Sequence, residues 1–167
     1  GVARTVARGI DVAPTLLDYA GLVAKGMEGR SLRRAASGER LSDEPAYSES
    51  LHSQLQYGWA PLHAWRTAKH KLIEAPRVEL YDLASDPGEN TNVVQARADR
   101  ARVMVETLKQ FNVSPPARAR QETAETIERL RSLGYIGGGS ATVREKYTEA
   151  DDPKRLVEIE QLLKESP

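Results

Sequence analysis

The chain has no cysteine among its 167 residues. That excludes disulfides and thiolate metal sites, and it leaves the compartment open. Aromatic residues make up only 5%, with a single Phe, so a core has to rest on Leu, Val, Ile and Ala. Neither sign of charge is in excess: Lys+Arg and Asp+Glu stand at 24 each. A net charge of zero argues against nucleic-acid binding, which draws on a basic surface to neutralise phosphates. No apolar run approaches the roughly 18 residues that would span a bilayer as a helix. The chain opens at Gly1 without an initiator Met or a signal-peptide pattern and ends at Pro167 directly after an amphipathic stretch, so both ends are expected to be cut.

What is present fits one domain's length of soluble globular protein, with 40% apolar and 29% charged residues. Val2 to Ile10 mixes apolar residues with Arg and suits a strand or an arm. Asp11 is placed to cap a helix with Pro14 in its first turn, and Gly21 stops that helix. From Gly26 to Gly38 a solvated loop is expected, anchored by Leu32. Ala46 to Leu51 reads as a strand. Leu62 to Ala68 and Lys71 to Ala75 read as a hairpin across Lys69-His70, and Glu79 to Leu83 as a further strand. Asp86-Pro87-Gly88 is a strong turn signal, with Gly free to take positive φ. Asn90 or Asn92 then caps a helix over Val93 to Phe111. Its stripe of Val94, Ala98, Ala101, Val105 and Leu108 falls on one helical face. That face pairs naturally with one side of the antiparallel sheet.

The fold expected is therefore α+β: a small antiparallel sheet packed by a long amphipathic helix, with a short N-terminal helix and a helical C-terminal extension. Pro115-Pro116 marks a break, and a second helix is expected from Glu122 to Leu133 with Gly134 as its cap. Gly137-Gly138-Gly139-Ser140 reads as a hinge; it lacks the Lys-Ser/Thr of a phosphate loop. A last helix starts at Asp152-Pro153 and presents Leu156, Ile159 and Leu163.

Few residues suggest chemistry. Ser50 and His52 stand two apart on an expected strand and would share a face. However, no nucleophile elbow and no orienting acid accompany them. The three histidines, His52, His63 and His70, lack metal-ligand spacing; His70 is expected to be solvated at a hairpin tip and His63 to be partly buried. Asp82, Asp86 and Glu89 do not follow a calcium-loop pattern; Asp86 supports the turn, and Glu89 suits the N-terminus of the following helix. Gln54, Gln56, Tyr57 and Trp59 form a polar and aromatic loop between two strands, closed by Gly58 and Pro61. Aromatics beside amides suit a sugar or aryl pocket; the same aromatics suit a plug against a neighbouring domain.

Several stretches carry a family resemblance. Asp11-Val12-Ala13-Pro14-Thr15-Leu16-Leu17-Asp18-Tyr19-Ala20-Gly21-Leu22 resembles the segment that ends the large α/β domain of sulfatases. Gly26-Met27-Glu28-Gly29-Arg30-Ser31-Leu32 resembles the loop that follows. Tyr47-Ser48-Glu49-Ser50, Tyr57-Gly58-Trp59-Ala60-Pro61-Leu62, Lys71-Leu72-Ile73 and Glu79 to Asn92 resemble the sulfatase C-terminal subdomain in order and spacing. Arg131 to Gly138 resembles the lead into tetratricopeptide repeats found in some bacterial sulfatase-like proteins, with Asp152 to Lys164 as the opening helix.

The resemblance implies a C-terminal portion of a sulfatase-like hydrolase of the alkaline-phosphatase superfamily. Residues 1–40 would end the large domain and connect onward, 41–112 would form the sheet subdomain with its helix, 113–140 a linker helix and hinge, and 141–167 the start of a helical region. In such a parent, formylglycine made from a Cys or Ser in Cys/Ser-x-Pro-x-Arg attacks sulfur, and calcium stabilises the developing charge. That machinery lies upstream, so no catalytic or metal role is carried onto any residue here, and the chain alone is expected to be inactive. His52, Gln54, Gln56, Tyr57 and Trp59 are the substrate-binding candidates. The implied partners are a sulfate-ester substrate, the N-terminal catalytic domain of the same protein, and a protein bound through the C-terminal helices. A periplasmic or secreted parent is compatible with the resemblance. The rival readings are a non-catalytic interaction module and part of a phosphoesterase or phosphotransferase of the same superfamily.

Overall fold

The computed structural model describes residues 5–111, 129, 144 and 146–165. A 3-10 turn at Gly9–Asp11 leads into α1 (Val12–Tyr19), followed by the short α2 (Arg33–Ala36). Four strands come next: β1 (Ala46–Ser50), β2 (Leu62–Arg66), β3 (His70–Glu74) and β4 (Glu79–Asp82). They form one antiparallel sheet in the order β1-β2-β3-β4. A further helix, α3 (His52–Tyr57), sits in the β1–β2 connection. The helix α4 (Ala98–Lys109) covers the sheet, and 3-10 turns at Glu149–Asp151 and Pro153–Arg155 precede α5 (Val157–Glu165).

The sheet register sets the core. Tyr47 pairs with Trp65, Trp65 with Leu72, and Leu72 with Leu80. Directly opposed residues share a face, so these four make one row across all the strands. Ala101, Met104 and Leu108 of α4 pack onto that row. Phe111 closes its edge, stacked on Tyr47 at 5.6 Å and against Trp65 at 4.6 Å. The expected α+β arrangement of sheet and covering helix is present.

The details differ in instructive ways. α4 begins at Ala98 rather than Val93, and Ala98 is exposed while Met104 is buried. Asn92 still caps, but it caps the turn before the helix: its carboxamide oxygen accepts from Val94 N at 3.0 Å and from Leu80 N at 3.1 Å. Asn90 donates to Asp86 instead. The left-handed residue of the turn is Glu89 (φ 57°), not Gly88. Asp86 holds the turn by accepting from Thr91 N at 2.7 Å, and this hydrogen bond leads those that hold its carboxyl below the usual range. Glu89 reaches across to Lys71 at 2.7 Å rather than serving a helix terminus.

At the N-terminal end Asp11 is fully buried and does not cap α1 through its side chain. Its carboxylate accepts from Arg8 N, the Arg8 guanidinium and Arg30 N. Burial alone would raise its pKa; the Arg8 and Arg30 hydrogen bonds outweigh that and hold it below the usual carboxylate value. α1 does stop at Gly21, where Gly21 N donates to Asp18 O and Leu22 N to Leu17 O, the two bonds of a Schellman motif. The expected loop from Gly26 contains α2, with Ala35 as its buried residue. No strand forms over residues 5–10; Val6 is simply buried. The expected helix from Glu122 to Leu133 and the Gly137–Ser140 hinge lie outside the described residues, Arg129 apart.

Candidate functional site

The candidate residues surround α3. They do not form an open loop: His52 to Tyr57 is helical, and Gly58 ends the helix at φ 68°, a conformation that favours glycine. The turn closes with Gly58 N donating to Gln54 O and Trp59 N to Ser53 O. This brings the Tyr57 and Trp59 rings to 4.6 Å, tilted by 33°. His52 meets the edge of Tyr57 at 6.1 Å. His52, Tyr57 and Trp59 thus form one aromatic group, held by α3 and the turn that ends it.

Gln54 points the other way. It is buried, and its Nε2 donates to the Tyr147 hydroxyl at 3.0 Å. Gln56 is half-buried. The exposed His52 lies 3.6 Å from Glu160 of α5. Ser50 ends β1 while His52 begins α3, so the two do not share a strand face.

The remaining histidines lie on the sheet. His63 is half-buried on β2, near Glu74 at 3.8 Å and stacked beside Tyr47 at 6.4 Å. His70 is not solvated: it is buried on β3, where loss of solvent lowers its pKa against a partly opposing Asp82. Tyr47 donates to Glu49 at 2.7 Å, and burial together with that carboxylate pushes its pKa up. Among the described residues no group of three or more His, Asp and Glu is placed to hold a metal ion. Among the described residues nothing fits a calcium site. No helix of the described residues is long and apolar enough to cross a membrane.

A profile of the family described as N-sulphoglucosamine sulphohydrolase, C-terminal, matches residues 1–113. The chain belongs to this family. Residues 1–113 correspond to the C-terminal domain of sulfatases. A curated relative, the Delta 4,5-hexuronate-2-O-sulfatase of Bacteroides thetaiotaomicron, is 33% identical over 91 residues, covering 52% of this chain and 19% of the relative. The chain thus spans about a fifth of that relative's length. The crystal structure of Ps i-CgsB shares the fold at TM-score 0.53 and 19% identity, over 74% of this chain and 28% of the other. Its complex with k-i-k-neocarrahexaose matches at TM-score 0.52 and 19% identity, with the same coverage.

One stretch of the chain carries the spacing of the nucleophile motif. Ser114-Pro115-Pro116-Ala117-Arg118 has the Ser-x-Pro-x-Arg spacing. It begins just past the residues matched by the family and lies outside the described residues. The resemblance places the sulfatase nucleophile far upstream of this subdomain, so the spacing by itself assigns Ser114 no catalytic role.

Proposed function

We propose that this chain is the cleft-shaping C-terminal subdomain of a sulfuric ester hydrolase, with the nucleophile and metal ligands supplied by an N-terminal catalytic domain of the same protein. The family match over residues 1–113 carries this reading. In the complete enzyme formylglycine supplies the nucleophile and calcium the charge stabilisation. Of the five sequence candidates, His52, Gln56, Tyr57 and Trp59 line the substrate side of the cleft, while the buried Gln54 stands behind them. The Tyr57–Trp59 pair offers a ring face for the sugar or aryl part of a sulfate ester, and Gln54 supports it from beneath. The exposed stripe Val12, Leu16 and Tyr19 on α1 suits packing against the catalytic domain.

The test has two parts. The 167-residue chain alone is expected to show no turnover of aryl sulfates, with or without calcium, and Ser114→Ala to change nothing; turnover abolished by Ser114→Ala would overturn the assignment. In the complete enzyme, Trp59→Ala is expected to change selectivity between two sulfate esters by about tenfold, roughly 1.4 kcal/mol, with little change in melting temperature. A collapse in melting temperature with unchanged selectivity would make Trp59 a packing residue.

A second reading has its own observation. Val157, Ile159, Leu162 and Leu163 of α5 are exposed, which favours a protein-docking role for the C-terminal region, including one as the first helix of a repeat array. Concentration-independent monomer behaviour in sedimentation, with no partner recovered by crosslinking through α5, would remove it.

A further inference from the structure

One end of the sheet is tied down by residues outside the family match. At the β1–β2 connection Gln54 Nε2 donates to Tyr147, the Arg144 guanidinium donates to Gly58 O at 2.6 Å, and Ala60 N donates to Asp151 O at 2.9 Å. At the β3–β4 connection Arg77 N donates to Asp152 Oδ2 at 3.1 Å, and Lys154 Nζ donates to Arg77 O at 2.9 Å. Lys154 also lies 3.6 Å from Glu79. Both connections leave the same end of the sheet, since Ser50 pairs with Leu62 and Ile73 with Glu79.

The two sides of the aromatic turn are held separately. Gln54 precedes Tyr57 by less than one helical turn, and Ala60 directly follows Trp59. Tyr147 holds the first and Asp151 the second. Asp151 is itself fixed by Thr148 N at 2.9 Å and by Arg144 at 2.7 Å. Asp152 has no exposure, and its carboxylate accepts from Arg77 N and Lys154 N and pairs with Lys154 Nζ. A buried carboxylate is stable only with such partners, so this point defines where the segment must lie.

We propose that Arg144 and residues 146–160 form a strap that fixes the placement of Tyr57 and Trp59, with Tyr147 and Asp151 as positioning residues and Asp152 as the anchor. The strap thereby sets how the ring pair is presented to the sugar or aryl part of a sulfate ester. That last step rests on the cleft-lining reading above; the strap itself does not.

The experiment is amide and indole NMR on the full chain, comparing wild type with Tyr147→Phe, Asp152→Ala and Asp152→Asn. Asp152→Ala is expected to speed exchange at Arg77 N and Ala60 N by about tenfold or more while Leu72 and Leu80 stay protected. Asp152→Asn, which keeps an acceptor, is expected to restore most of that protection. Tyr147→Phe and Asp152→Ala are both expected to move the Trp59 indole N–H signal and leave that of Trp65 in place. An unmoved Trp59 signal in the folded variants overturns the proposal. If Asp152→Ala fails to fold, Tyr147→Phe, which removes one hydroxyl, decides alone.

Titration with 4-nitrophenyl sulfate separates the two ideas. A Trp59 response in wild type that weakens about threefold or more in Tyr147→Phe supports both. No response in wild type, with the variants still moving Trp59, upholds the strap and overturns the cleft-lining reading.

Discussion

Gln54 and Tyr147 are separated by 93 positions, yet the Gln54 carboxamide donates to the Tyr147 hydroxyl at 3.0 Å. Gln54 is buried, so its amide has to find a partner within the protein. The partner comes from the far end of the chain. The candidate site is thus built by two distant segments, and the residue that looks most like a ligand-binding amide is already engaged from below.

The core row makes a direct prediction. Leu72 and Leu80 have no exposure and lie side by side under α4. Leu72→Ala is expected to destabilise by about 2–5 kcal/mol through lost burial and a residual cavity. Leu162, at 64% exposure, gives the contrast: Leu162→Ala is expected to change stability by less than about 0.5 kcal/mol. Urea unfolding of both variants is the check; equal effects would contradict the assigned core.

Gly29 is required by closeness. A Cβ at this position would stand 1.9 Å from the Ile10 carbonyl oxygen. That approach lets Arg30 N reach Asp11 at 3.0 Å. Gly29→Ala is expected to cost about 1–3 kcal/mol or more and to loosen the Arg8–Asp11–Arg30 group. Thermal unfolding together with hydrogen exchange at Arg30 N measures both.

Asn92 serves two backbone donors at once, Leu80 N in the sheet and Val94 N in the turn before α4. Asn92→Ala is expected to cost about 1–3 kcal/mol by leaving Leu80 N unpaired. Asn92→Asp keeps the acceptors and is expected to retain most of the stability. If chemical denaturation shows Ala and Asp equal, the acceptor role is wrong.

His70 predicts a pH dependence. Burial lowers its pKa below the usual 6.5; Asp82 opposes this, while Arg100, Arg97 and Lys69 add to it. The unfolded chain therefore takes up the proton first as pH falls. Stability from the neutral imidazole is present above pH 6.5 and is lost as pH falls through the lower folded value. His70→Gln is expected to flatten the stability curve over that interval, measured as the unfolding midpoint in urea at stepped pH.

The strands, the turn at Asp86-Pro87-Gly88 and the amphipathic face of α4 were legible because each rests on local periodicity or turn chemistry. Ala101 and Leu108 are buried as their spacing demands. Met104 is not in the Val94–Leu108 stripe, although its spacing of three and four from Ala101 and Leu108 carries the signal for its burial. α3 is not legible in the sequence because six residues flanked by strands give too short a window for helical periodicity, and Gly58 alone marks a helix end. A hairpin tip is normally wet, whereas His70 opens β3 opposite Asp82 of β4 and is buried.

The sequence by itself determined the sheet, its covering helix and the family, since these follow from repeating local patterns and ordered motifs. The tertiary structure alone decided where Asp11 and Asp152 spend their charge, which turn Asn92 caps, and that residues 146–160 close one end of the sheet. Those outcomes depend on pairing a buried polar group with whatever donor the fold brings near it. No local pattern encodes a partner that stands 75 or 93 positions away.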